Sequence, residues 1–281
     1  MATLEIFNVA HGQYSLISSD AGAHMLIDCG HNGGTGWRPS AMMAGRGIGF
    51  LDELVITNCD EDHASDLPNV LETVNIGCLT RNPTVAGDEL YQLKAQGGMG
   101  AGIAALADMT RRFNQPPGRF ADFDGMTSTL FFNSYPEDFE DENNLSLVMV
   151  LRWPAPNGGP GFSILYGGDM ERAGWLRLLA RPDFRREMHD ITVFVASHHG
   201  RSSGYSPELF EATGLRPEIF VISDCGIQHA TQETIALYRK HARGILHNGE
   251  RRRVITTRRD GWIRFYIEDG CARLATSSHR F

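Results

Sequence analysis

Residues 56–66 read ITNCDEDHASD and follow the apolar positions Leu51, Leu54 and Val55. An apolar run that breaks into a polar, helix-capping sequence predicts a strand, a loop and a helix start, in that order. Side chains just beyond a strand can turn back over its carboxyl end, the place where α/β folds keep their chemistry. Asp60, Asp62 and His63 are on that footing candidate metal ligands, with Asn58 as a neutral oxygen donor. A solvated acidic loop has the same composition, so the reading depends on what the flanking chain brings to the same place.

Upstream, residues 3–17 alternate apolar and polar up to Gly12, and residues 23–29 make a second short strand that holds Asp28 near its end. This predicts the hairpin that opens an α/β sandwich, with Asp28 a structural carboxylate bonded to the 56–66 loop. Downstream, residues 67–74 form a short helix with Pro68 in its first turn. In residues 81–126 the spacing of Ile103, Leu106 and Ala107 inside GGMGAGIAALADMTRRF marks a helix, in a segment that is either a lid over a cleft or a peripheral insertion. Strand signals return in TSTLFFNSY, NLSLVMVLRW and FSILYGGD, and the last delivers Asp169 to the front of a helix. The apolar residues 193–196 deliver His198 and His199 into a glycine loop with Ser202 and Ser203. Two adjacent histidines at the end of an apolar strand do not suit a core; one can ligate a metal while the other faces a substrate phosphate. His198 is the first choice as ligand, which leaves His199 for the substrate. A further strand over 219–223 is followed by His229 ahead of a helix over 231–241, and the chain closes with two strands around a turn at Asp260 and Gly261.

Residues 57–63, TNCDEDH, resemble the T-H-x-H-x-D-H signature of the metallo-β-lactamase superfamily, with Asp62 and His63 in place and Asn58 and Asp60 standing where the signature has histidines. Five further segments resemble, in order, the soluble metallo-β-lactamase domain at the end of bacterial competence (DNA-uptake) channel proteins. They are FNVAHGQYSLI (7–17), LIDCG (26–30), ENNLSLVMVL (142–151), ILYGGD (164–169) and VASHHGRSS (195–203). The resemblance implies an α/β fold of the αββα four-layer sandwich type, one domain over residues 1–281 with the insertion or lid at 81–126. It also implies that Asp28 orients the metal loop, that Asp169 bridges two metals, and that His229 lies near a position carrying a histidine after the last core strand. The segment of Asn144 approaches the active site in that group, which makes Asn144 a candidate substrate contact, and Ser202, in the loop of the two histidines, is the other candidate.

The 281 residues, 42% hydrophobic and 21% charged, are enough for one full core in a soluble domain. No run of about eighteen apolar residues occurs, so no membrane span is expected and the cytoplasm is the expected location. Five cysteines, odd in number and not closely paired, argue for reduced thiols. Net charge is −8, yet residues 239–280 hold eleven Lys and Arg against four Asp and Glu, so that stretch carries +7 and the remainder −15. A basic end on an acidic body is either a footprint for nucleic acid or phosphate, or a solvated strand pair with outward arginines. Arg251, Arg252 and Arg253, followed by Arg258 and Arg259, are its densest part.

Metal-assisted hydrolysis requires a cation held with one coordination position open, where a water can be acidified. Asn58, Asp60, Asp62, His63, Asp169 and His198 as ligands, with Asp62, His199 and His229 as catalytic groups, would hold one or two divalent ions. Oxygen donors at Asn58 and Asp60 shift the preference from Zn²⁺ toward Mn²⁺ or Mg²⁺, or empty the second position. The expected activity is hydrolysis of a phosphodiester, in nucleic acid first and in a small molecule second. The contrasting expectation is a catalytically weak or partner-activated effector or binding module of a bacterial defence system, with a partner protein encoded in the same operon.

Overall fold

The computed structural model describes residues 1–95, 98–225 and 234–277. Two sheets lie face to face. The first has the strand order Cys271–Thr276, Ile263–Glu268, Ala2–Ile6, Tyr14–Ser18, His24–Cys29, Glu53–Val55, Leu79–Thr80. The second runs Val254–Thr256, Ile219–Ile222, Val193–Val195, Phe162–Tyr166, Val148–Trp153, Thr127–Phe131. Alternate side chains of a strand point to opposite faces. Leu4, Ile6, Ile27 and Val55 of the first sheet therefore meet Met149, Leu151, Ile164, Val195 and Val221 of the second in one buried core. The intervening residues face outward and are covered by helices. Leu16, Leu26 and Leu54 lie under Leu67–Thr73, Gly87–Leu93 and Ala101–Arg112. Val148, Val150, Leu165, Phe194 and Phe220 lie under Arg172–Leu179, Pro182–Glu187 and Pro207–Thr213. Burial on both faces is why these strands read as continuous apolar runs in the sequence. The result is the four-layer αββα sandwich expected from the sequence.

Strands His24–Cys29 and Glu53–Val55 are parallel, as are the four from Phe162–Tyr166 through Val254–Thr256. Parallel strands put their carboxyl ends on one edge. Asp28 and the 56–66 loop of one sheet thus share an edge with Asp169, His198, His199 and Asp224 of the other. The two are joined directly, because the Leu147 amide donates to the Thr57 carbonyl over 2.7 Å.

The 81–126 segment is built into the layer outside the first sheet. Ile103, Leu106 and Ala107, the apolar face read from the sequence, are all buried there with Leu90. Glu61 fixes the helix to the metal loop, its two carboxylate oxygens accepting from the amides of Gly102 and Ile103 at 2.9 and 3.2 Å. The carboxyl-terminal turn departs from expectation. Val254–Thr256 and Ile263–Glu268 belong to different sheets, and the helical turn Thr257–Asp260 carries the chain across. Asp260 is buried and accepts from the Thr256 amide and from Arg252, so it anchors a crossover between sheets where a turn between two paired strands was expected. All five cysteines are free thiols, and no helix among the described residues is long and apolar enough to cross a membrane.

Candidate metal centre

Asp28 adopts a left-handed φ of 58°, which Asp tolerates better than most residues. Its buried carboxylate accepts from the Thr57 amide at 2.7 Å and from Thr57 Oγ1 at 2.5 Å, and lies 3.0 Å from His63 Nδ1. Nδ1 is thereby committed to Asp28, and Nε2 is turned into the cleft, 3.0 Å from Asp169 Oδ1. Burial favours the neutral ring, but the Asp169 and Asp28 carboxylates outweigh it and raise the His63 pKa well above the ordinary value.

Asp62 sits in the short helix Glu61–Ala64, which Asp60 caps by accepting from the Glu61 amide at 2.9 Å. Its main chain is pressed against two glycines. A Cβ at Gly12 would lie 2.4 Å from the Asp62 carbonyl oxygen, and one at Gly30 2.1 Å, distances that no side chain could occupy. Asp169 follows Gly167 and Gly168, and its amide donates to Ser146 Oγ at 2.9 Å. His199 has a φ of 51°, the same as His198, so two residues with side chains share a strained conformation at the strand end. That geometry carries His199 Nε2 to 3.2 Å from Asp62 Oδ2 and 3.4 Å from Asp169 Oδ1, ion-pair distances without hydrogen-bond alignment among the described residues.

Ligand atoms of Asp62, His63, Asp169 and His199 all lie within 4.8 Å of one another. Donors around one ion at about 2.0–2.2 Å stand roughly 3–4 Å apart, so these four are of the kind and nearly at the spacing that could hold one divalent cation. The buried His199 Nε2, without a hydrogen bond among the described residues, faces the same point as the two carboxylates. Charge agrees: burial opposes ionisation of Asp169, yet His199 and His63 hold its carboxyl far below the usual range. Burial likewise disfavours the charged His199 ring, and Asp169 and Asp62 raise its pKa regardless.

These four residues stand at the shared edge of two sheets packed in an αββα sandwich. Superposition finds a crystal structure of a diphosphatase from the PhnP family, at 10% identity and a TM-score of 0.48, covering 97% of this chain and 100% of that one. It also finds an archaeal metallo-β-lactamase superfamily protein from Sulfolobus tokodaii, at 12% identity and 0.38, covering 74% and 83% of the two chains. A long-form RNase Z from yeast matches at 7% identity and 0.39, covering 99% of this chain and 50% of that one. No family model matches the chain, and no curated protein matches it in sequence.

Along this shared edge, the other expected site residues fall elsewhere. Of the histidine pair it is His199 that converges. His198 Nε2 is 3.8 Å from Asp169 Oδ2 and 3.0 Å from Arg201, while its Nδ1 lies 3.0 Å from Ser203 Oγ and 3.3 Å from Glu171. Asp60 lies outside the cluster. Its Oδ1 accepts from the Lys94 ammonium at 2.9 Å, and Lys94 also donates to Glu142 at 2.7 Å. Burial opposes the charge on Lys94, but these two carboxylates raise its pKa. Asn58 donates to Asn143 Oδ1 at 3.2 Å, leaving its own Oδ1 buried without a hydrogen-bond partner. Asn144 is a structural bracket, accepting from the Gly174 amide at 2.7 Å and donating to Asp141. Ser202 is exposed on the loop, and His229 lies outside the described residues. Sequence reasoning missed Lys94, Ser146 and Arg201. Only Arg201 had a local signal, its place directly after His198, His199 and Gly200.

Proposed function

We propose that this protein is a metal-dependent hydrolase of phosphodiesters, with one divalent cation held by Asp62, His63, Asp169 and His199. The convergence of these four donor atoms carries the reading. The ion, Mn²⁺ or Zn²⁺ in preference to Mg²⁺ because two donors are imidazoles, would supply Lewis acidity toward a phosphoryl oxygen and toward water. The remaining groups orient and balance charge. Asp28 fixes the His63 ring and Ser146 fixes the turn that carries Asp169. Burial lowers the His198 pKa, with Arg201 adding to it, so this ring is neutral and its Nε2 accepts from the guanidinium. His198 thereby holds Arg201 beside the cluster, where a guanidinium can take the oxygens of a phosphoryl group as their charge develops.

The test is metal analysis of the purified protein together with hydrolysis of bis-p-nitrophenyl phosphate after chelation and add-back. About one equivalent of metal per chain, with turnover restored by Mn²⁺ or Zn²⁺, is the expected outcome. Absence of metal uptake together with absence of turnover for every ion overturns the proposal in favour of a binding module.

A further inference from the structure

Two strands along from the one that carries His199, the second sheet ends in an edge strand with a feature of its own. Arg239, Arg251, Arg252, Arg253, Arg258 and Arg259 line one cavity of about 480 Å³ beside the edge strand Val254–Thr256. Among the described residues that line it, Glu250 alone is acidic. Three of the guanidinium groups are committed: Arg252 to Asp260 at 2.8 Å, Arg258 to the buried Asp224 at 3.3 Å, and Arg251 to the Arg243 carbonyl at 2.7 Å. Arg239, Arg253 and Arg259 are exposed and have no acceptor among the described residues. So many like charges around one space repel one another until an anion enters.

Arg258 and Arg259 also line an adjoining cavity of about 250 Å³ together with Phe7, Trp37 and Trp262. Trp37 is already stacked on Phe7, ring centroids 5.2 Å apart, and both tryptophans remain half-buried. Cations for a backbone beside aromatic faces for bases is the composition that binds single strands. The cavities are tied to the cluster's edge. Thr257 Oγ1 donates to the Asp224 carbonyl at 2.8 Å and accepts from its amide at 2.9 Å. Asp224 follows the strand next to the one that carries His199, so Arg258 and Arg259, which follow Val254–Thr256, stand about two strand spacings, roughly 10 Å, along the edge, while Arg253 precedes that strand and lies at its other end.

We infer that these paired cavities bind single-stranded nucleic acid, with phosphates at Arg239, Arg253 and Arg259 and a base between Trp37 and Trp262. The strand then continues along the edge to the cluster. The inference rests on the phosphodiesterase reading for what happens to the strand at the cluster, and on the cavities alone for its binding.

The test measures binding without cleavage: fluorescence anisotropy of a short labelled oligodeoxynucleotide with the full-length protein in EDTA, across a KCl series. The combined variant Arg239→Gln, Arg253→Gln, Arg259→Gln is expected to bind about tenfold weaker or worse, and its log–log salt slope to fall by about 2, near 0.7 for each phosphate left without its arginine. Removing equal charge elsewhere, with Arg111→Gln, Arg112→Gln, Arg119→Gln, is expected to leave binding as in the wild type. These six arginines are exposed, so both variants should melt as the wild type does. Wild-type affinity in the first variant, or equal losses in both, overturns the site. A mononucleotide that competes as tightly as the strand also overturns it, and reassigns the cavity to a small phosphate. Turnover of bis-p-nitrophenyl phosphate separates the two readings. Strand binding without ester hydrolysis removes the phosphodiesterase reading and leaves this site standing, while hydrolysis with variant-insensitive binding does the reverse.

Discussion

Asp60 and His63 are three residues apart in one loop, and the structure treats them in opposite ways. His63 is buried between Asp28 and Asp169, its Nε2 turned to a point that Asp62 and His199 also face. Asp60 points the other way, to the ammonium of Lys94, which Glu142 holds from the far side. Both halves of the loop therefore bring carboxylates toward a positive charge. On one half the rings of His63 and His199 carry it, their pKa values raised by the carboxylates, until a cation displaces their protons; on the other, Lys94 of residues 81–126 provides it. The difference teaches that one short loop can turn some of its donors to a shared buried point and settle another in an internal ion pair.

The comparison is broken most completely on the His63 side. Asp62→Ala and His63→Ala are expected to abolish both metal uptake and hydrolysis while circular dichroism stays native; unchanged turnover in either variant would sink the proposed mechanism. Next in size is Asp28→Asn, which keeps an acceptor for Thr57 but loses the charge that orients His63. It should weaken metal affinity by about 10–100-fold, read by competition with a chelator.

A pH series sharpens the contrast. The carboxylates raise the pKa of His63 and of His199, so in the metal-free protein both rings hold protons above the ordinary imidazole range, about 6.5. A metal needs them neutral. Uptake must release those protons, and affinity should rise with pH by about tenfold per unit for each proton released, levelling once both rings are neutral. Calorimetry in buffers of differing ionisation heat measures that release, and an affinity flat from acid to alkaline pH would contradict it. The smallest effect is expected on the Asp60 side. Lys94→Met should retain hydrolysis but cost about 1–2 kcal/mol in denaturant unfolding, a figure kept low because Asp60 and Glu142 are partly exposed. It should also let Asp60 and Glu142 take up extra Mn²⁺; a stoichiometry unchanged from wild type would mean that these carboxylates cannot form a cation site of their own.

Much of the site was legible because its parts stand at the ends of apolar runs. Asp28 lies near the end of a strand, the Asp62–His63 pair, Asp169 and the double histidine each follow one, and parallel pairing collects such ends on one edge. The layers were legible for a related reason: strands covered on both faces leave uninterrupted apolar runs. What stayed hidden depends on conformation or on distant chain. Which histidine converges is decided by left-handed backbone at both His198 and His199, which residue identity does not encode. Lys94 looks like any surface lysine until the fold brings it to Asp60, 34 residues away, and Glu142, 48 away. The turn at Asp260 and Gly261 looked like a hairpin because both flanking strands were visible while their membership of different sheets was not.

Gly12 and Gly30 are not donors and touch no ligand atom of the cluster, yet each abuts the Asp62 carbonyl with no room for a methyl group. The tolerance of this protein to sequence drift should therefore follow a map drawn by van der Waals radii as much as by chemistry. In a saturation library, the two glycine positions would be as blank as Asp62 itself, and a chain that exchanged either for alanine would have to move its carboxylate first.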